Sequence, residues 1–191
     1  MVGIYATNWC ILALISLVWR DRTATRPAKM QEWPVVSVHL PVFNEGAVVT
    51  RLIESCLRLD YPREKLEILV LDDSTDETTA IASSYAEKHP GLVRLIHRDN
   101  RRGFKAGALQ QALQITKGEI IAIFDADFVP PRRFLKSLIP YIYTDSKVAF
   151  VQARVGHLNC HLTWVTKAVS LAIDGYFLVE QRARYAANLL P

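Results

Sequence analysis

Two short acidic segments follow apolar runs that have the length of buried strands. Asp125 and Asp127 come after the run 120–124, and Asp72 and Asp73 follow a second such run. The carboxyl ends of strands in a parallel sheet are where such sheets hold ligands. Hard cations such as Mg²⁺ and Mn²⁺ take oxygen ligands and complete their shells with water and substrate phosphates. These segments therefore predict a site for a nucleotide and a divalent cation, with Asp125 and Asp127 as metal ligands.

Two other stretches carry residues that fit the same chemistry. Pro41, Asn44 and Glu45 follow the first predicted strand, where backbone and carboxylate can line the crevice beside Asp72 and Asp73. The segment 101–107 combines glycines with Lys105 near a helix start, which suits a nucleobase, an acidic partner or phosphate. A simple turn explains Pro41 and Asn44 equally well, but it explains Glu45 only through a favourable helix dipole. On spacing alone, a structural and a functional role are equally compatible with 101–107.

Alternating strands and helices position these residues. Apolar patterning predicts strands over 35–40, 67–71, 92–97, 120–124 and 148–151. Helices are predicted over 48–57, from the capping-box spacing Ser74–Glu77 to Lys88, over 105–116, from Pro131 onward, and over 161–186. This order predicts an α/β fold with a mostly parallel, Rossmann-like sheet covered by helices on both faces.

The N-terminal residues have the character of a membrane anchor. Residues 1–19 are almost wholly apolar and predict one transmembrane helix, with Trp9 and Trp19 at the interfaces. Residues 20–34 form a basic linker, which by the positive-inside rule places the domain 35–191 in the cytoplasm. The bacterial inner membrane and the Golgi are both compatible, and a cleaved leader or a buried helix is the alternative.

Composition excludes several classes of function. The net charge of +4 is mild and no basic stripe carries interleaved aromatics, so nucleic acid is not an expected partner. The three cysteines lack zinc or redox spacing and are expected to be reduced. Neither a dinucleotide-binding glycine motif nor a P-loop occurs.

As a set, the motifs resemble those of family 2 glycosyltransferases, especially the membrane-anchored cellulose-synthase-like and mannan-synthase-like branch. The matching segments are Pro41–Glu45, Val70–Ser74, Gly103–Gly107, Asp125–Asp127 and Val151–Arg154. The resemblance implies a GT-A fold and inverting transfer of a sugar from a UDP- or GDP-sugar to a glycan acceptor, with Mg²⁺ or Mn²⁺. It also implies that Glu45, Asp73 and Lys105 contact the nucleoside, Asp125 the ribose or metal, and Asp127 the metal.

The resemblance leaves the catalytic base without a residue. In the family an acidic pair beyond the position of Pro191 supplies it, so we expect this chain to bind donor better than it turns donor over. Asp174 and Glu180 are interpreted as helix surface, and His157 and His161 as part of a loop. A nucleotidyltransferase and an inactive, membrane-tethered nucleotide-sugar-binding fragment remain the alternatives.

Overall fold

A four-stranded sheet forms the centre of the unit that spans residues 28–143. Its strands are β1 (Val36–Val42), β2 (Leu66–Asp72), β3 (Val93–His97) and β4 (Ile120–Ile123). They lie in the order β3-β2-β1-β4, and each neighbouring pair is parallel. The carboxyl ends of all four strands therefore meet at one edge, as predicted.

Helices cover both faces of this sheet. They are α2 (Gly46–Leu57), α3 (Thr78–Lys88), α4 (Phe104–Leu113) and α5 (Phe134–Thr144). Because side chains alternate along β2, Ile68 and Val70 join the larger apolar core on one face while Leu69 and Leu71 pack with α4 on the other. Both central strands are buried on both sides, which explains their continuous apolar sequence.

The computed structural model describes residues 2–18, 27 and 29–187. The predicted interface anchor Trp19 and most of the basic linker, with Arg20, Arg22 and Arg26, lie outside the described residues, as does Pro191.

The second unit comprises residues 1–27 and 144–191. It contains α1 (Val2–Val18), α6 (Trp164–Gly175), a π-helical segment (Tyr176–Gln181) and α7 (Arg182–Ala186). α1 contacts the π-helical segment and α7. Thr163 begins α6 through a reciprocal capping box with Thr166.

No helix within the described residues is both long and apolar enough to cross a membrane. α1 has 17 residues, which corresponds to about 26 Å against the roughly 30 Å of a hydrocarbon core. The transmembrane helix predicted over residues 1–19 is therefore not found.

Three local predictions are wrong. Residues 148–151 form no strand, because they do not pair with any strand of the sheet and Phe150 is exposed. Ser74 does not cap a helix: its hydroxyl accepts from the backbone of another loop, and α3 begins only at Thr78. α5 begins at Phe134 rather than at Pro131.

Candidate functional site

A cavity of about 530 Å³ opens at the carboxyl edge of the sheet. The loops after β1, β2 and β4 and the start of α4 form its walls. The lining residues are Pro41, Val42, Phe43, Glu45, Leu71, Asp73, Arg101, Lys105, Ala108, Asp125, Ala126 and Asp127. Six of the eight predicted site residues therefore share one cavity, and Asn44 and Asp72 do not line it.

Alternation along the chain after β4 turns two carboxylates toward the cavity. Phe124 and Ala126 are buried, and Phe124 packs edge-on against Phe134 with ring centroids 4.9 Å apart. The residues between and after them, Asp125 and Asp127, lie on the more exposed side and line the cavity. Burial of the two apolar neighbours therefore sets the direction of both aspartates.

The carboxylates differ in their partners. Lys105 Nζ forms an ion pair with Asp125, and both side chains are about half exposed. The Asp127 side chain makes no hydrogen bond or ion pair with any described residue. It is the carboxylate of this segment that is directly open to a ligand.

A metal ion at this position would need more ligands than the protein supplies. Within the described ranges, no three side chains of His, Cys, Asp or Glu converge on a possible metal position. Asp125 and Asp127 still offer hard oxygen ligands from one wall of the cavity. This fits an ion such as Mg²⁺ or Mn²⁺, which completes its shell with water and phosphate oxygens.

Asp72 is buried and its hydrogen bonds are made inside the protein. Its Oδ2 accepts from Thr79 Oγ1 at 2.6 Å and from His97 Nδ1 at 2.8 Å, and its Oδ1 accepts from Ser74 N at 3.0 Å. Burial raises the pKa of Asp72, but the hydrogen bonds from Ser74, Thr79 and His97 together hold it below its ordinary value. In this structure Asp72 ties the end of β2 to α3 and β3.

Asn44 joins two loops of the site. Its backbone N–H donates to Ser74 Oγ at 2.9 Å, and its side-chain oxygen accepts from Thr75 N at 2.9 Å. Its φ of 54° lies in the left-handed region, which asparagine tolerates better than most residues. Asn44 thereby holds the loop after β1 against the loop after β2.

Sequence reasoning did not assign the contacts of three residues: Phe43 and Arg101 line this cavity, and Arg98 lies beside it. The Arg101 guanidinium lies 3.2 Å from the centroid of the Phe43 ring, a cation–π contact. Arg98 forms a bidentate ion pair with Asp73, at 2.6 and 2.5 Å. The signal available for Arg98 is its position directly after the third predicted strand and its charge, which is opposite to that of Asp73 after the second; the structure places these two strands side by side and parallel.

A second cavity of about 540 Å³ adjoins the first and shares Phe43, Asp73 and Arg101 with it. The remaining lining residues are Ser74, Thr75, His97, Arg98 and Asp99. The Arg101–Phe43 contact therefore borders both spaces.

Three of the four remaining candidates, His157, Asp174 and Glu180, have partners within their own unit. His157 Nε2 lies 3.3 Å from Asp174, and Glu180 pairs with Arg184 at 2.9 Å. Both acidic residues lie on the long C-terminal helical segment, as interpreted from the sequence.

Residues 37–185 match the family described as glycosyl transferase family 2. The chain belongs to this family. Glucomannan 4-beta-mannosyltransferase 1 of Oryza sativa subsp. japonica is 38% identical over 157 residues, covering 78% of this chain and 30% of the relative. Glucomannan 4-beta-mannosyltransferase 2 of Arabidopsis thaliana is 35% identical over 189 residues, covering 90% of this chain and 35% of the relative.

A solved mannosyltransferase structure with a bound nucleotide sugar has the same fold. The mannosyltransferase of Pyrobaculum calidifontis, in complex with GDP-Man and Mn²⁺, is 31% identical, with a TM-score of 0.69. The match covers 77% of this family 2 chain and 43% of that protein. The predicted GT-A-type sheet is therefore confirmed. The chain spans about a third of the length of the curated relatives named above.

Proposed function

We propose that this chain binds the nucleotide sugar donor for an inverting family 2 glycosyltransferase, which passes a hexose to a glycan acceptor. The observation that carries the proposal is the convergence on one cavity of Glu45, Asp73 and Asp127, from three different loops, and of Lys105, from the start of α4. Separate loops at one sheet edge can address the base, the ribose and the phosphates at the same time.

The charge of the cavity supports a divalent cation. Four carboxylates and two cationic side chains line it, so a diphosphate entering alone meets net repulsion. Asp125 and Asp127 would hold Mg²⁺ or Mn²⁺, with the rest of its shell supplied from outside the protein. Once bound, such a cation neutralises the charge that develops on a diphosphate leaving group.

The protein's own side chains account for orientation of the donor. Asp73 and Glu45 are acceptors for the hydroxyls of a ribose or the N–H groups of a base. Lys105 supplies a positive charge on a flexible stem at the start of α4, where it can move from Asp125 to an oxygen of the nucleoside. Asn44 and Asp72 hold the loops that carry these groups.

The relatives favour a particular donor. Those named above are glucomannan 4-beta-mannosyltransferases, and the solved relative holds GDP-Man. A GDP-hexose is therefore the first donor to test, ahead of a UDP-sugar, and a β-linked polysaccharide is the first acceptor. The prediction of a catalytic base beyond Pro191 concerns positions outside the described residues.

Titration calorimetry with GDP-mannose tests the proposal. We expect binding that requires Mn²⁺ or Mg²⁺, and an Asp127→Ala variant whose weak residual binding no longer depends on metal. Asp145→Ala, at an exposed aspartate of the other unit, is the matched control and should bind as the parent does. Equal affinity with metal and with a chelator would refute the metal assignment.

Turnover is measured separately, as GDP release in the presence of a mannan acceptor. Donor binding with no release of GDP would support the donor-binding fragment without catalysis. Incorporation of nucleotide rather than sugar into product would support the nucleotidyltransferase alternative.

Membrane association and a cytoplasmic active site, at the bacterial inner membrane or the Golgi, are part of the proposal. Leu14 and Leu17 on α1 and Trp164 and Leu171 on α6 are more than 60% exposed. Apolar side chains on a helix surface favour adsorption to a lipid interface. Flotation of the purified chain with anionic vesicles tests this, and recovery only in the bottom fraction would contradict it.

A further inference from the structure

Arg98 is a buried arginine at the carboxyl edge of the sheet. It follows β3 directly, and its Nε and Nη2 donate to the two oxygens of Asp73 at 2.6 and 2.5 Å. The side chains of Arg98 and Asp73 are only 8% and 5% exposed. A fork-to-fork pair shielded from water holds both side chains in one geometry.

The same guanidinium also holds the turn that begins α4. Arg98 Nη2 donates to Phe104 O at 3.1 Å, and Nη1 donates to Arg102 O at 3.3 Å. Gly103 and Phe104 have φ values of 73° and 51°. A phenylalanine in the left-handed region is strained, so this turn requires contacts that hold it in place.

Arg98 therefore joins the two parts of the cavity that are proposed to meet the nucleoside. One is the Asp73 carboxylate, and the other is the turn that sets the position of Lys105. Its four hydrogen bonds use four of the five N–H groups of a guanidinium. Few donors remain for a ligand, whereas each Asp73 oxygen keeps a free lone pair for a ribose hydroxyl or a base N–H.

We propose that Arg98 is a positioning residue that sets Asp73 and the Lys105 turn for recognition of the nucleoside half of a nucleoside diphosphate. This inference rests on the proposed function. It predicts that Arg98 affects binding of the nucleoside and leaves binding of the bare diphosphate with metal largely unchanged, because Asp125 and Asp127 belong to another loop.

The test compares GDP with inorganic pyrophosphate, each titrated in Mn²⁺ into the full chain. Arg98→Lys keeps the charge but loses the fork, so the bidentate pair and at least one carbonyl contact are lost. We expect the affinity for GDP to fall by about tenfold to a hundredfold, the size of one lost charge-assisted hydrogen bond. The affinity for pyrophosphate should change by less than about threefold. Arg94→Lys, the same substitution on β3 near Glu67, is the matched control and should leave both affinities unchanged.

A second variant removes both buried charges together. Asp73→Asn combined with Arg98→Met leaves no uncompensated ion, so folding is better tolerated than with either single loss. It should also bind pyrophosphate with Mn²⁺ and lose affinity for GDP. Circular dichroism melts establish that each variant is folded.

The outcomes distinguish a failure of the proposed function from a failure of the proposed role of Arg98. A parent chain that binds neither GDP nor GDP-mannose refutes the proposed function, and this inference with it. If the parent chain binds GDP and a folded Arg98→Lys variant retains that affinity, the proposed role of Arg98 is overturned, whatever the double variant does. Equal loss of GDP and pyrophosphate also overturns it, because Arg98 would then support the whole cavity rather than its nucleoside side.

Discussion

Replacing Asp72 by asparagine removes a buried charge that the structure uses for several contacts. The side chain of Asp72 is fully buried and accepts hydrogen bonds from Ser74, Thr79 and His97. An amide presents an NH₂ group in place of one oxygen, so at least one of these donors then faces another donor. Hydrogen bonds to a charged group are worth about 1.5–3 kcal/mol each. We therefore expect the free energy of unfolding of the variant to be about 2–4 kcal/mol lower than that of the parent.

The pH dependence of this loss follows from the direction of the pKa shift. Burial raises the pKa of Asp72 but its hydrogen bonds lower it by more, so the folded pKa is below the ordinary value. The stability that the carboxylate contributes is therefore complete above the unfolded pKa of about 3.9, and it is lost as pH falls through the folded pKa. The difference between parent and variant should be largest near neutral pH and should shrink below about pH 4.

Urea unfolding monitored by fluorescence measures this difference. Trp33 is the tryptophan of the unit 28–143, so replacing the other three of the chain's 4 tryptophans by phenylalanine makes the signal specific. Asp99→Asn is the matched control, since the Asp99 side chain is fully exposed, and it should change the free energy of unfolding by less than about 0.5 kcal/mol. A similarly small effect of Asp72→Asn near pH 7, or a difference that grows as pH falls, would refute the reasoning.

Two further predictions concern glycine packing and thiol chemistry. Gly107→Ala should lower the melting temperature, because an added Cβ would lie 2.0 Å from Arg102 O. Gly156→Ala is the control and should be neutral, because its Cβ would meet nothing within 4 Å. Equal melting temperatures for the two variants would contradict the packing argument. Cys56 should resist Ellman's reagent in the native state, since burial raises the pKa of its thiol to about 12. The exposed Cys10 should react at once. Rapid modification of both thiols would show that the core around Cys56 opens readily.

Residues at the strand ends could be predicted from the sequence because their placement depends on local order. Parallel strands bring their carboxyl ends to one edge of the sheet. Asp73 and Asp127 therefore line the same cavity, although they are 54 positions apart in the sequence. The strands themselves are continuous apolar runs, since both faces of the sheet are covered. The sheet and six of the twelve residues that line the cavity followed from these two regularities.

Side-chain contacts across strands could not be predicted in the same way. The Arg98–Asp73 pair depends on the register that sets Asp72 opposite His97, which the sequence pattern does not specify. Ser74 has the spacing of a helix cap, yet its hydroxyl accepts from Asn44, a long-range contact that overrides the local signal. The apolar run 148–151 resembles a strand, but a strand forms only where a neighbour can pair with it.

The ion pair between Lys105 and Asp125 gives the pocket a counter-ion that is part of the chain itself. Unlike a bound metal ion, a lysine side chain cannot dissociate from the protein. It therefore reduces the repulsion among the acidic side chains even when the concentration of free divalent ions is low. Because the pair is half exposed, rising ionic strength loosens it. Salt should therefore ease the release of Lys105 from Asp125, and it should also weaken the attraction between the pocket and an incoming cation. Because these two effects oppose each other, donor affinity should vary less with buffer salt than the number of charges suggests.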